Sequence, residues 1–185
     1  MIEEGQAVLR TSRLLLRPLA ESDAESLLAL YGNEDFMRYS GMDPWRNSDD
    51  ARNFLIRAAR QAHEGMAIRK AILLEHQVIG TCSVLNIDSN DRRCEIGYGL
   101  APSHWGLGIA SEALAAMLEH AFTRLAMRRV EAHVDPRNLA SIGILERSGF
   151  RLEGTLKEHL LTSKGPADSA IYGLLDYEWA TTPDE

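Results

Sequence analysis

The residues with the clearest capacity for chemistry are two glycines, Gly106 and Gly108, at the junction of two contrasting segments. A strand-like run, residues 95–100, precedes them, and a run rich in Ala, Leu, Met and Glu follows at once and favours a helix. Glycine lets the backbone approach an anion without an obstructing Cβ. A helix that starts there offers unpaired N–H groups and the positive end of its dipole. The spacing therefore predicts a phosphate-binding turn, with a pyrophosphate as the expected ligand.

The residues around these glycines argue against two common nucleotide-binding turns. The dinucleotide fingerprint GxGxxG would need a third glycine where the chain has Ser111. A Walker loop would need GK[ST] after four intervening residues, and the sequence has none here. NAD and ATP are therefore disfavoured. Taken alone, Gly106 and Gly108 are better explained as a tight strand-to-helix turn than as a binding site.

The surrounding residues resemble a known family. The segment EIGYGLAPSHWGLGIASEAL is similar to the acetyl-CoA-binding segment of the GNAT superfamily of N-acetyltransferases, especially the branch that acetylates ribosomal-protein N-termini on alanine or serine. The superfamily pattern Gln/Arg-x-x-Gly-x-Gly/Ala places Trp105 first, Gly108 fourth and Ala110 sixth. Tryptophan departs from the general pattern at the first position, but Trp-Gly-x-Gly is the usual form in this branch.

A second segment carries the same resemblance. Asn138-Leu139-Ala140-Ser141, followed by Gly149-Phe150, is similar to the Asn-x-x-Ser and Gly-Phe motifs of the branch, and the matches cover most of residues 10–180. The resemblance implies an α/β (α+β) fold with a central mixed, mostly antiparallel sheet of about seven strands flanked by helices. It also implies acetyl-CoA as co-substrate and a possible homodimer. The implied cofactor-binding residues are Leu100, Trp105, Gly106, Leu107, Gly108, Ile109, Ala110, Asn138 and Ser141.

Glu95 is the predicted general base. Strand alternation puts Glu95, Gly97 and Gly99 on one face, and two successive glycines leave room for a substrate groove across the sheet. An ordinary exposed carboxylate beside a bend explains the spacing equally well. The resemblance favours the base, because several superfamily members carry theirs at the matching strand position.

Acetyl transfer to an amine needs a neutral nucleophile, a polarised thioester carbonyl and a stabilised thiolate. Glu95 would take the ammonium proton directly or through water, and a backbone N–H near Leu100 would hold the carbonyl oxygen if that strand diverges from its neighbour. Ser141 would assist the thiolate, or would only orient CoA. Asn138 is either a helix cap or a CoA contact.

The predicted acceptor is an N-terminal α-amine. Its pKa of about 7.7–8.0 leaves roughly a tenth neutral at pH 7, whereas a lysine near 10.4 is neutral in under about a thousandth of molecules. Tyr39 and Trp45 lie in a segment that resembles the acceptor border of the branch, although they are equally explained as core or hinge residues. Glu158 is the second candidate for a base. A small-molecule amine such as an aminoglycoside, polyamine or amino-acid analogue, or a non-catalytic acetyl-CoA-binding module, remains an alternative.

Composition sets the remaining expectations. The chain of 185 residues, with 45% hydrophobic residues, is long enough for one domain spanning 1–185. A net charge of −7 argues against nucleic-acid binding. Cys82 and Cys94 lack the spacing of metal ligands, so no metal is expected. An acidic N-terminus and the absence of a long apolar run argue against a signal peptide and a membrane span, which predicts a cytoplasmic protein.

The hydrophobic pattern predicts the order β-α-α-β-β-β-α-β-α-β-β. A capping box at Ser22-Asp23-Ala24-Glu25 is expected to open the first helix. The predicted strands are 14–19, 66–74, 78–87, 94–100, 129–134, 150–156 and 169–177. The predicted helices are 22–31, 48–64, 108–124 and 138–149.

Overall fold

The computed structural model describes residues 2–179, which contain one eight-stranded sheet. The strands are β1 (Leu9–Arg10), β2 (Leu14–Pro18), β3 (Ile68–Leu74), β4 (Gln77–Asp88), β5 (Arg93–Leu100), β6 (Arg129–Val134), β7 (Arg151–Thr162) and β8 (Gly165–Leu175). Their order in the sheet is β1-β2-β3-β4-β5-β6-β8-β7, and β5 and β6 are its parallel pair. The predicted mixed, mostly antiparallel sheet is confirmed. The two-residue strand β1 raises the number from the expected seven to eight.

The helices also follow the predicted order, with three short additions. They are α1 (Ile2–Gln6), α2 (Ala24–Tyr31), α3 (Glu34–Met37), α4 (Ser48–His63), α5 (Ile109–Glu119), α6 (Leu139–Arg147) and α7 (Asp176–Trp179). A π-helical turn, His120–Arg124, continues α5 and accounts for the longer helix that the sequence predicts. None of the described helices has both the length and the apolar character needed to cross a bilayer.

The start of the first long helix differs from the prediction. Asp23, not Ser22, organises it: the Asp23 carboxylate accepts the N–H of Ala20 at 2.8 Å and pairs with the Arg17 guanidinium at 2.6 Å. Burial alone would raise the pKa of Asp23, but the hydrogen bonds from Arg17 and Ala20 outweigh that effect and lower it. The buried Asp23 carboxylate, which accepts hydrogen bonds from both Arg17 and Ala20, therefore takes the place of the predicted capping box.

The hydrophobic core lies between the sheet and α5. The buried face of α5 presents Leu114, Met117 and Leu118 to the sheet, following the i, i+3, i+4 spacing of an amphipathic helix. Cys82 and Cys94 lie in this core, and burial raises the pKa of each thiol to about 12. Both thiols are therefore protonated at neutral pH, as packing residues require.

The sheet opens between its two parallel strands. The β5–β6 pairing covers only Arg93–Glu95 against Arg129–Glu131. Beyond these residues β5 pairs with β4, and β6 pairs with β8. The free ends of β5 and β6 thus form a V-shaped opening whose closed end is at Glu95 and Glu131. This opening positions the candidate site.

Candidate active site

A cleft of about 850 Å³ runs through the V-shaped opening. It is bounded by Ile96–Leu100 of β5 and Ala132–Val134 of β6, and also by α3, the start of α5 and residues of α6. The cleft therefore connects the two faces of the sheet. One face, which we call the donor face, carries α5 and α6. The other, the acceptor face, is the one toward which the Glu95 side chain points and toward which a Cβ at Gly97 or Gly99 would point.

The predicted glycine turn lies at the edge of this cleft. Gly106 and Gly108 both line it, with φ of 74° and 73°, in the left-handed region that favours glycine. Gly108 is the N-cap of α5, so the first N–H groups of that helix lie beside the cleft. A Cβ added at Gly106 would meet no atom within 4 Å, whereas one at Gly108 would lie 3.6 Å from the Arg13 guanidinium. The turn is thus both tight and open to a ligand.

Eight of the nine predicted cofactor-binding residues line the cleft: Leu100, Trp105, Gly106, Gly108, Ile109, Ala110, Asn138 and Ser141. Leu107 is the exception, with an exposed side chain and a carbonyl that accepts from Arg13 at 2.9 Å. The Trp105 indole N–H donates to the Leu100 carbonyl at 2.7 Å and anchors the turn to β5. Asn138 is a helix cap, because its Oδ1 accepts the N–H of Ser141 at 3.2 Å.

The Leu100 N–H is directed into the opening. The neighbouring Ala101 N–H donates to the Ile79 carbonyl at 2.8 Å, on the β4 side. Because successive backbone groups of a strand alternate sides, the Leu100 N–H faces away from β4. This orientation fits the predicted role of a donor to a thioester carbonyl oxygen.

A carboxylate that the sequence did not single out fixes the glycine turn. Glu112, in the first turn of α5, accepts from Thr11 Oγ1 at 2.5 Å, from Ser12 Oγ at 3.1 Å and from Arg13 Nε at 2.6 Å. Burial would raise the pKa of Glu112, but these bonds and that from the Arg13 N–H outweigh burial and lower the pKa to about 2. Residues 11–13 are thereby joined to the helix start. Arg13 also neutralises a negative charge beside the expected phosphate site.

We expect Glu112→Gln to lower the free energy of unfolding by about 1–3 kcal/mol at pH 7, because the amide loses charge-assisted hydrogen bonds. The folded pKa of about 2 lies below the ordinary value of 4.5, so this contribution is present above about pH 4.5 and is lost as pH falls toward 2. Urea titrations of both proteins at pH 7 and pH 3 measure it. Glu119→Gln, on an exposed position of the same helix, is the control. If the difference in the free energy of unfolding between wild type and Glu112→Gln is no smaller at pH 3 than at pH 7, the stabilising role of the Glu112 carboxylate is contradicted.

Ser141 forms a hydrogen-bonded pair with Tyr98 on the donor face. The two hydroxyl oxygens are 2.9 Å apart, and the Tyr98 hydroxyl also lies 3.2 Å from the Ser141 carbonyl. Both residues line the cleft. Burial raises the pKa of Tyr98 to about 12, so the phenol stays protonated at neutral pH and can donate a hydrogen bond. Tyr98 was visible in the strand pattern, but nothing in the sequence connects it with α6.

Glu95 lies at the closed end of the opening and is not among the residues that line the cleft. Its Oε1 accepts from Asn86 Nδ2 at 2.7 Å, and its strand partner is Glu131. The predicted alternation with Gly97 and Gly99 is present, but the groove is narrower than expected. A Cβ at Gly97 would have only Leu85 within 4 Å, at 3.9 Å, whereas a Cβ at Gly99 would collide with the Phe36 ring at 2.8 Å. The open part of the acceptor face is therefore at Gly97.

His133 is a further titratable group at the opening. It lines the cleft from β6, and its Nε2 lies 3.9 Å from Glu131 Oε2. Glu131 in turn accepts from Arg129 at 2.7 Å. By strand alternation His133 shares the face of Glu131 and therefore of Glu95. No motif in the sequence identifies this histidine, because its position depends on the divergence of β5 and β6.

The predicted acceptor residues have three different positions. Tyr39 lines both the cleft and an adjoining cavity of about 180 Å³ beneath the β7–β8 hairpin. Trp45 stacks on Tyr31, with ring centroids 4.3 Å apart, and supports the cleft from behind without lining it. Glu158 is exposed on β7, with a φ of 49°, and lines neither cavity. Among the side chains that the structure describes, those of residues 4–179, no three His, Cys, Asp or Glu residues converge as metal ligands would.

Comparison with known proteins identifies the family. The model for the family described as "Acetyltransferase (GNAT) domain" matches residues 13–151. The N-acetyltransferase p20 of Bacillus licheniformis is 34% identical over 174 residues, which cover 93% of this chain and 98% of that protein. A solved structure, Mycobacterium smegmatis RimJ in complex with CoA-disulfide, superposes with a TM-score of 0.86 at 26% identity, covering 95% of this chain and 89% of RimJ.

Two relatives whose names state a substrate act on different classes of acceptor. The ribosomal-protein-serine acetyltransferase of Escherichia coli is 36% identical over 110 residues, covering 58% of this chain and 60% of that protein. The spermidine N(1)-acetyltransferase of Vibrio cholerae is 28% identical over 149 residues, covering 80% and 84%. These matches agree on acetyl transfer and differ in the acceptor. The chain belongs to the GNAT family of acetyl-transferring enzymes.

Proposed function

We propose that this protein transfers the acetyl group of acetyl-CoA to the N-terminal α-amine of a ribosomal or other protein. The observation that carries the proposal is the V-shaped opening. It joins the glycine turn on the donor face to the open part of the acceptor face at Gly97. A thioester within this opening is accessible from both sides. The relative that bound CoA and the relative that acts on ribosomal proteins support the same assignment.

The donor face supplies binding and stabilisation of the thiolate. The glycine turn and the start of α5 hold the pyrophosphate through backbone N–H groups, and the Leu100 N–H polarises the thioester carbonyl. The Tyr98–Ser141 pair donates a hydrogen bond to the departing sulfur. A phenol with a pKa of about 12 does not give up its proton to a thiolate whose conjugate acid has a pKa of about 8.5. The pair therefore stabilises the thiolate by hydrogen bonding.

The acceptor face supplies the base. Glu95 takes the proton of the incoming ammonium group through a water molecule, since its carboxylate lies behind the cleft lining. His133 is the second candidate, because it lines the cleft directly. Glu158 is the third candidate, because it lines neither cavity.

A polyamine acceptor is the second candidate function, on the strength of the relative named as a spermidine N(1)-acetyltransferase. The cleft contains a half-buried cation, Arg69, that no carboxylate of the described residues neutralises. Such a charge repels a polycation near Gly97, the open part of the acceptor face. The α-amine of a protein is the better fit on this ground and on that of its lower pKa.

A panel of acceptors tests the proposal. With peptides that begin with Ser or Ala, the enzyme should release CoA. Each peptide should gain one acetyl group, which fragmentation mass spectrometry should locate at the α-amine. Formylation of that amine should abolish turnover even where lysines remain, because a lysine amine is almost fully protonated at neutral pH. Modification only at lysines, or turnover confined to spermidine or an aminoglycoside, would contradict the α-amine acceptor. Binding of acetyl-CoA without any turnover would indicate a non-catalytic module.

A further inference from the structure

Arg69 of β3 is a cleft residue whose charge has no acidic partner among the described side chains, those of residues 4–179. Its NH1 donates to the amide oxygen of Gln61 at 2.6 Å, and its guanidinium lies 5.7 Å from the centre of the Phe54 ring. Both contacts come from α4 and leave the remaining donors without a protein acceptor in the described part of the chain. Burial lowers the pKa of Arg69, and nearby Arg57 adds to the local positive charge. By contrast, Arg38, which also lines the cleft, pairs with Asp35.

Arg69 lies on the acceptor face, in the same cross-strand row as Gly97, where that face is open. The sheet register pairs Arg69 with Ser83 on β4, and Ser83 with Gly97 on β5. Residues that are directly opposite on neighbouring strands point to the same face. Ser83 also lines the cleft. With strands about 4.8 Å apart, the Arg69 backbone is about 10 Å from Gly97 along a continuous row.

A guanidinium taken partly out of water normally has a carboxylate partner, because burying an unpaired charge is costly. Its planar set of N–H donors matches the two oxygens of a carboxylate. In a chain with a net charge of −7, an unpaired arginine at this position is a specific feature and not part of a general positive surface. The missing partner therefore fits a group that the acceptor brings.

We propose that Arg69, together with the Ser83 hydroxyl, forms a subsite that binds a carboxylate of the acceptor. The inference rests on the proposed α-amine acceptor and specifies it further. An extended peptide advances about 3.3 Å per residue, so with the reacting amine over Gly97 the span of about 10 Å to the Arg69 backbone corresponds to the third or fourth residue. The preferred acceptor is a chain with Asp or Glu at one of these positions.

The test is a binding measurement that does not need turnover. Amidated peptides beginning with Ser, with Glu or Gln placed in turn at positions 2–6, are titrated calorimetrically into the CoA-bound enzyme. We expect Glu at position 3 or 4 to bind at least tenfold more tightly than Gln there, and the difference to fall below twofold in Arg69→Gln. Arg69→Lys should keep part of the preference, since it retains the charge and loses the planar fork. Arg38→Gln, at a cleft arginine that already has a partner, should keep all of it.

Equal binding of the Glu and Gln peptides by wild type, or a preference that survives Arg69→Gln, would overturn the inference. A merely structural role for Arg69 would weaken both peptides equally and leave their ratio unchanged. Should Arg69→Gln not fold, Ser83→Ala serves as the second variant, with a smaller loss of the same preference expected. The acetylation panel tests the proposed function separately. Peptides that are acetylated without regard to acidic residues would leave the α-amine acceptor standing and overturn only the carboxylate subsite.

Discussion

Gly106→Ala is expected to weaken acetyl-CoA binding about a hundredfold, equivalent to about 2.7 kcal/mol. The φ of 74° at Gly106 is unfavourable for alanine, and the new Cβ would enter the open space beside the cleft, where the pyrophosphate is expected. Calorimetric titration with acetyl-CoA measures the loss directly. Gly106 is a cleaner target than Gly108, because a side chain at Gly108 would also contact Arg13.

The matched control for Gly106→Ala is Gly65→Ala. Gly65 has a φ of 71°, so both alanines cost about the same 1–2 kcal/mol of backbone strain, but Gly65 follows α4 and does not line the cleft. Wild type and Gly65→Ala should each gain about 2.7 kcal/mol of stability at an acetyl-CoA concentration a hundredfold above the dissociation constant, and NAD or ATP should add little. Normal affinity in a folded Gly106→Ala protein would show that the phosphate site lies elsewhere.

The fold was predictable because its signals are local. The alternation of Glu95 to Leu100, the helical spacing in α4 and the glycine turn are each contained in a short window of sequence, and the structure confirms them. Asn138 illustrates a signal with two interpretations, of which the structure shows the cap. The two-residue strand β1 was missed because it is too short for periodicity to reveal it.

The missing parts of the candidate site depend on contacts between distant residues. Glu112 is joined to residue 11 across 101 positions, and Tyr98 reaches Ser141 across 43, so neither contact leaves a local pattern. The place of His133 follows from where β5 and β6 stop pairing, which is a property of the whole sheet. Trp45 shows the opposite case. The resemblance assigns this aromatic residue to the border of the acceptor site, but in the structure it packs on Tyr31 behind the residues that line the cleft.

Glu95→Gln should lower kcat about a hundredfold at pH 7, the size expected for loss of a general base. The variant depends on amine that is already neutral. For an α-amine the neutral fraction rises from about a tenth at pH 7 to nearly all at pH 9, so raising the pH should recover about tenfold and then level off. A lysine acceptor would instead continue to gain rate beyond pH 9. The pH–rate profile of kcat with a Ser-initiated peptide measures both features.

Ser141→Ala and Tyr98→Phe are the matched comparisons, because they act on the sulfur and not on the amine. Each should lower kcat by a pH-independent factor of about a hundred to a thousand, the effect of losing one donor to a developing charge. Since the two hydroxyls form one hydrogen-bonded pair, the double variant should be little slower than either single variant. Multiplicative losses in the double variant would mean that the two groups act independently.

The positions of Glu95 and His133 relative to the cleft define an experiment that decides which residue is the base. Glu95 has the favoured strand position but lies behind the cleft lining, whereas His133 lines the cleft and has Glu131 at 3.9 Å. If Glu95→Gln keeps the wild-type rate from pH 6 to 9 while His133→Gln loses about a hundredfold and recovers with pH, proton removal belongs to His133. If both variants lose rate and both recover, Glu95 and His133 act in one relay, because removing either end of a relay leaves the same dependence on free amine.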